Sequence, residues 1–115
     1  MKKAKDIMTT HYRLMTDNKT LDRSFKHIYT TDLLSQAIKS AKDDAVLITV
    51  ISHENTVAVA MMIDIPILIV TENKKITNQM IEKCNEENIC LFVTHLMSHE
   101  VVIDLYQRGL YEILL

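Results

Sequence analysis

The chain has 115 residues, 48% of them hydrophobic and 24% charged, with a formal net charge of -2, one glycine and one proline. A chain of this length makes one compact domain spanning residues 1–115 with a core that needs no staples. Its balanced charge offers no field for nucleic acid or an anionic membrane, and one glycine cannot build the glycine-rich turn of a P-loop or a dinucleotide fold, so no cofactor of that kind is expected.

The opening Met1-Lys2-Lys3-Ala4-Lys5-Asp6 lacks the apolar run of a signal peptide. Lys2–Thr9 fits a short amphipathic helix and Tyr12–Met15 a short edge strand. Phe25–Tyr29 then reads as a strand, and Asp32–Ala41 as a helix burying Leu33, Leu34, Ala37 and Ile38. Ala45–Ile51, Pro66–Thr71 and Ile89–Thr94 are short, β-branched runs without polar alternation, which is the pattern of strands buried on both faces of a parallel sheet.

Glu54–Ile63, Thr77–Asn88 and Ser98–Arg108 have helical length, with Ser52, Thr77 and Ser98 placed to cap them and Gly109 placed to end the last. Thr77–Asn88 turns Met80, Ile81 and Cys84 inward, and Ser98–Arg108 turns Val101, Val102, Leu105 and Tyr106 inward. The run Val57–Ile63 is apolar on nearly every side. It suits either a helix sandwiched within the domain or a homodimer interface, and a strand also fits it. With Asp64 and Pro66 interrupting it, the apolar stretch 57–70 is too short to span a bilayer. The expected fold is therefore a layered α/β domain, its mostly parallel β-sheet built from repeated βα units. Cys84 and Cys90 have neither redox nor zinc spacing. They read as reduced core thiols of a cytoplasmic protein.

Ligands of open α/β sheets sit beyond the carboxyl ends of the parallel strands. The predicted strands bring Thr49, His53, Asn55, Thr71, Glu72, Thr94 and His95 to that edge, and Asp32 and Ser35 open a helix there. These groups could hold a small polar ligand, although helix capping accounts for most of the same residues. His53, His95 and His99 are candidate metal ligands only if they converge. With His95 closing a strand and His99 opening a helix they read as solvated loop residues, and no metal site is expected; His11 and His27 carry no pattern. Ser52-His53-Glu54 and Ser98-His99-Glu100 are triads in composition alone, because successive residues fan out. Without a nucleophile elbow they read as capping sequences, and a small acid–base enzyme using Asp32, His53 and Glu72 is the lesser alternative.

Asp32-Leu33-Leu34-Ser35, followed by Ile48-Thr49-Val50-Ile51-Ser52-His53-Glu54-Asn55-Thr56-Val57-Ala58-Val59-Ala60, resembles the DRTGG domain family, in particular its stand-alone members. Ile67–Leu105 is similar to the N-terminal domain of HPr kinase/phosphorylase in its repeated order of strand, threonine and helix, and the resemblance covers roughly residues 20–108. Three positions depart from the family pattern: Ser52-His53 stands near the place of Asp-Arg, Thr71-Glu72-Asn73 replaces Thr-Gly-Gly, and Thr31 replaces a glycine. Lys5-Asp6-Ile7-Met8-Thr9-Thr10, with Thr20-Leu21, resembles the opening of a CBS domain, but the remainder of that motif does not follow. In the DRTGG family the domain is an accessory to a kinase, a phosphotransacetylase or a CBS-regulated pyrophosphatase. The resemblance thus implies a non-catalytic regulatory or ligand-sensing homodimer, or else a docking subunit of an enzyme partner.

Overall fold

A computed structural model describes residues 1–113. Within them the chain forms β1 (Tyr12–Leu14), β2 (His27–Thr30), α1 (Leu34–Ser40), β3 (Ala45–Thr49), α2 (Glu54–Met62), β4 (Ile67–Val70), α3 (Asn78–Glu86), β5 (Cys90–Thr94) and α4 (Ser98–Gln107). The sheet order is β1-β5-β4-β3-β2, parallel from β2 to β5 and antiparallel only at β1. The expected mostly parallel α/β sheet is present.

Because β2, β3, β4 and β5 advance across the sheet in one direction, their right-handed crossovers lay α1, α2 and α3 on a single face. Ala37, Val57, Ala60, Met80 and Cys84 pack there on Leu47, Leu68 and Leu91. The opposite face is covered by α4 and the N-terminal segment, whose Ala4, Ile7, Val101 and Leu105 meet Val46, Ile48, Ile69 and Phe92. Every residue of β3, β4 and β5 is buried, which explains their unbroken apolar runs. In the middle of three helices, α2 has the sheet beneath it and α1 and α3 on its flanks, so Val57, Val59 and Ala60 are buried and, of its apolar residues, Ala58 and Met62 are the exposed ones. Its all-round apolarity is largely accounted for within the chain, and it is a helix rather than a strand.

Several expectations need correction. Lys2–Thr9 is not an α-helix but a single 3-10 turn, Ala4–Ile7, because its flanks pair with another segment: Ala4 N–H donates to the Arg23 carbonyl and Phe25 N–H to the Lys2 carbonyl. A second 3-10 turn, Asn18–Asp22, was not foreseen. The second strand begins at His27, two residues later than expected, since Phe25 is drawn into that N-terminal pairing. α1 begins at Leu34, and of its expected core only Ala37 is buried; Leu33 and Ile38 are exposed because the helix lies at the margin, with a helical neighbour on one side. On α4, Val101 and Leu105 are buried but Tyr106 is 54% exposed, since α4 has no helix beside it on its face. The cap of α2 is His53, whose Nδ1 accepts from Asn55 N–H at 3.1 Å, in place of Ser52. Thr77 caps α3 through Met80 N–H as expected, whereas α4 is capped by Glu100, which accepts from Met97 N–H at 2.9 Å.

Helices α2, α3 and α4 are each followed by a left-handed residue, namely Asp64, Asn88 and Gly109, and Ile65, Ile89 and Leu110 then donate back to Ala60, Cys84 and Leu105. Two ties close the second face. Thr16 Oγ1 accepts from Leu91 N–H at 3.1 Å, extending the hold of β1 on β5. Arg108 grips Asp104 and also donates to the carbonyls of Asp6 and Ile7, each at 2.9 Å. Tyr12 completes that cluster by donating to Asp104 Oδ2 at 2.7 Å. Burial, reinforced by the Asp104 carboxylate, pushes the Tyr12 hydroxyl well above the ordinary tyrosine range. For Asp104 burial works upward, but hydrogen bonds from Arg108 and Tyr12, with the charges of Arg108 and His11, outweigh it and hold the carboxyl below the usual range. Among the described residues no helix is long and apolar enough to cross a membrane.

Candidate functional site

The carboxyl ends of β2–β5 gather the expected residues along one edge, but internal bonding divides them. Thr49 is buried; its hydroxyl donates to Asp32 Oδ1 at 3.3 Å and accepts from Ile51 N–H at 3.2 Å. Buried Thr94 donates to the His11 carbonyl at 2.7 Å and accepts from Leu96 N–H at 3.2 Å. Buried Thr71 meets the Ser98 hydroxyl at 3.3 Å. These threonines fasten the edge loops to one another. Asp32 does not cap its own helix: its Oδ1 reaches across to Val50 N–H at 3.0 Å. Ser35 and Asn55 are exposed, His53 is the α2 cap, and His95 stands against His11 with Nε2 and Nδ1 3.2 Å apart.

The loop after β4 leaves toward α3 on one face, while the loop after β5 leaves toward α4 on the other. Such a divergence is where α/β sheets open a crevice. Here backbone bonds close it, since Glu72 N–H donates to the Leu96 carbonyl at 3.0 Å and Asn73 N–H to the Thr94 carbonyl at 2.8 Å. To make both bonds, Glu72 and Asn73 adopt left-handed backbone, with φ of 62° and 54°. These positions stand where the DRTGG pattern has its two glycines, so the glycine-type backbone is kept without glycine. A left-handed L-residue costs about 1–2 kcal/mol, and glycine loses roughly 0.5–1 kcal/mol in backbone entropy. Glu72→Gly is therefore expected to raise stability by about 0.5 kcal/mol, read as a higher urea midpoint. A lower midpoint would show that the glutamate side chain holds the loop.

What remains open is a groove of about 600 Å³ on the α4 side, lined by Thr30, Asp32, Glu72, Met97, Ser98, His99, Val102 and Ile103. The strand ends supply its carboxylates, and the first turns of α4 supply an apolar wall. Met97 and Ile103 are each 50% exposed. The anchored Asp32 fixes one rim, and the left-handed Glu72 the other. Of the residues expected at the edge, the groove unites Asp32 and Glu72. It adds Ser98 and His99, which the sequence offered as a helix cap and a metal-ligand candidate within a triad-like string, not as groups at this edge. Two carboxylates beside an apolar wall favour a ligand that presents an apolar face and hydrogen-bond donors or positive charge.

Comparisons with known proteins agree with the architecture. The model of the family described as HPr Serine kinase N terminus matches residues 48–107, more than half of the chain. No curated protein sequence matches the chain. Among solved structures, it is similar to the CBS and DRTGG domains of the regulatory region of a Clostridium perfringens pyrophosphatase, complexed with the activator diadenosine tetraphosphate. The TM-score is 0.72 at 15% identity, over 91% of this chain and 49% of that one. The chain thus spans about half the length of that structure, and the likeness at this identity is one of fold.

Proposed function

Because the chain belongs to the HPr Serine kinase N terminus family, we propose that it is a non-catalytic regulatory module, a single DRTGG-type domain that senses a small polar ligand in the groove between α4 and the strand ends. The observation that carries this reading is the groove itself, where Asp32 and Glu72 line the same open space as Met97, Val102 and Ile103. A role without catalysis is supported by the engagement of the Thr49, Thr71 and Thr94 hydroxyls with neighbouring loops. Of the strand-end groups, Asp32 and Glu72 would touch the ligand. Ser35, Thr49, His53, Asn55, Thr71, Thr94 and His95 would shape the edge around it. The module would work as a homodimer in the cytoplasm, with α2 and α4 as the elements offering exposed apolar side chains to a second copy.

A second reading is favoured by one observation: Met97, Ile103 and Tyr106 expose half or more of their surface along α4, as a surface for an enzyme partner would. Thermal unfolding of the chain against nucleotides, phosphorylated metabolites and cationic metabolites separates the two. A ligand at a hundredfold excess over its Kd adds about 2.7 kcal/mol, a rise of several degrees in Tm. The shift is expected to vanish in Ile103→Glu, which alters the wall without touching the core. Absence of any shift across the panel would transfer the assignment to the docking surface.

A further inference from the structure

We propose that His11 and His95 form a two-imidazole site for a divalent transition-metal ion of the zinc and copper class. The antiparallel register pairs Tyr12 with Thr94 and Arg13 with Val93, so one step further sets His11 directly opposite His95. Residues so placed hold their Cβ atoms about 5 Å apart, within reach for two rings to converge. They do converge: His11 Nδ1 and His95 Nε2 are 3.2 Å apart, with the rings tilted by 53° rather than stacked. Two nitrogens bound to one zinc ion at about 2.0–2.1 Å in tetrahedral geometry stand roughly 3.3–3.4 Å from each other. The observed separation lies within about 0.2 Å of that span, so turning the two rings until their free nitrogens aim at a common point would seat an ion between them.

The backbone at the pair is held on both sides. His11 N–H donates to Thr9 Oγ1 at 3.1 Å, and its carbonyl accepts from Thr94 Oγ1 at 2.7 Å. Leu96 N–H donates to the same Thr94 hydroxyl at 3.2 Å. Little ordering is left for the metal to impose. Both histidines are exposed, so an ion has an entry path and water can complete its coordination. Among the described residues no cluster of three or more histidine, cysteine, aspartate or glutamate side chains is poised for a metal, so the site rests on two protein ligands. It shares no residue with the groove lined by Asp32 and Glu72.

Imidazole selects borderline metals in the order copper above zinc, and leaves magnesium and calcium to oxygen ligands. The test is equilibrium dialysis of the full chain against Zn²⁺, Cu²⁺ and Mg²⁺ with the bound metal quantified. The expected result is one equivalent of Zn²⁺ at micromolar free metal, tighter Cu²⁺ and no Mg²⁺. His11→Ala, His95→Ala and the size-conserving His95→Gln should each weaken binding at least tenfold while keeping the wild-type unfolding midpoint within a few degrees. His27→Ala, on β2 at the opposite edge of the sheet, should leave metal binding unchanged. No bound metal at millimolar Zn²⁺ and Cu²⁺, or binding that survives in His11→Ala and His95→Ala, overturns the proposal.

Discussion

Phe92→Ala is expected to remove about 3–5 kcal/mol of stability, the range for deleting a fully buried aromatic ring. Phe92 has no exposed surface and sits in β5 between two ladders, opposite Leu14 on one side and Ile69 on the other. Its ring meets that of Tyr12 edge-on, with centroids 6.2 Å apart. Both neighbouring strands are fixed by hydrogen bonds, so the surroundings cannot collapse into the space, and the cavity cost adds to the lost transfer free energy. Domains of this kind have about 5–15 kcal/mol in total, so the variant loses roughly a fifth of its margin at the least. Urea unfolding should show a lower midpoint with an unchanged slope. Ile103→Ala, on the exposed side of α4, should stay within about 0.5 kcal/mol of wild type. A loss below about 1 kcal/mol for Phe92→Ala would mean that α4 and the N-terminal segment do not pack on this face as described.

Both thiols are expected to react with a disulfide reagent at least about a thousandfold more slowly in the native chain than in urea, because attack must await opening of the fold. Burial first, and then the charge of Cys90, pushes the Cys84 thiol up to about 12. Burial pushes Cys90 up to about 11 against the downward pull of the Thr20 and Thr16 hydroxyls and the charge of Arg23. Thiolate is the reacting form, so a native thiol is protected chemically as well as sterically. Raised folded values also fix the sign of the pH dependence. The stabilisation from neutral thiols is complete below the ordinary cysteine value of about 8.5 and is lost as pH climbs toward the folded values. Cys84 lies on the α1–α3 side of the sheet and Cys90 on the α4 side. Equal labelling rates are expected if both await global unfolding, and a faster Cys84 would show α3 detaching alone.

The central strands were legible because burial on both faces leaves an uninterrupted apolar run, and 45–49, 67–70 and 90–94 fall inside such runs. The ends of those runs were overread, since Val50, Ile51 and Thr71 are apolar or buried for reasons of loop packing rather than strand pairing. Helix periodicity identified α3 well, because Met80 and Cys84 meet a sheet on one side only. It misjudged α1 and α4, whose outer apolar residues have no neighbour to cover them. The groove was half legible. Asp32 and Glu72 follow from the strand order, but the arrival of Ser98 and His99 depends on which face α4 takes, and periodicity carries no such information. The His11–His95 contact was hidden for a similar reason, as it requires the antiparallel register of β1. For the left-handed pair Glu72-Asn73 the signal lay in its place against the family's two glycines and in Asn73, while Glu72 by itself gives no hint of such backbone.

The grip of Arg108 on Asp6 and Ile7 joins residues 102 and 101 positions apart. β1 likewise waits for β5, emerging from the ribosome about two thirds of the chain length before its partner. At roughly 5–20 residues per second, Tyr12 and Ile7 remain without their cover for several seconds of translation. During that interval β2, β3 and β4 can assemble in order of appearance under α1 and α2, each strand docking beside the one before it. One side of the sheet is therefore built progressively, while the other is completed only when the last helix arrives. Nascent chains stalled before α4 should accordingly present a naked apolar sheet face, and that is the state a cell's folding helpers would meet.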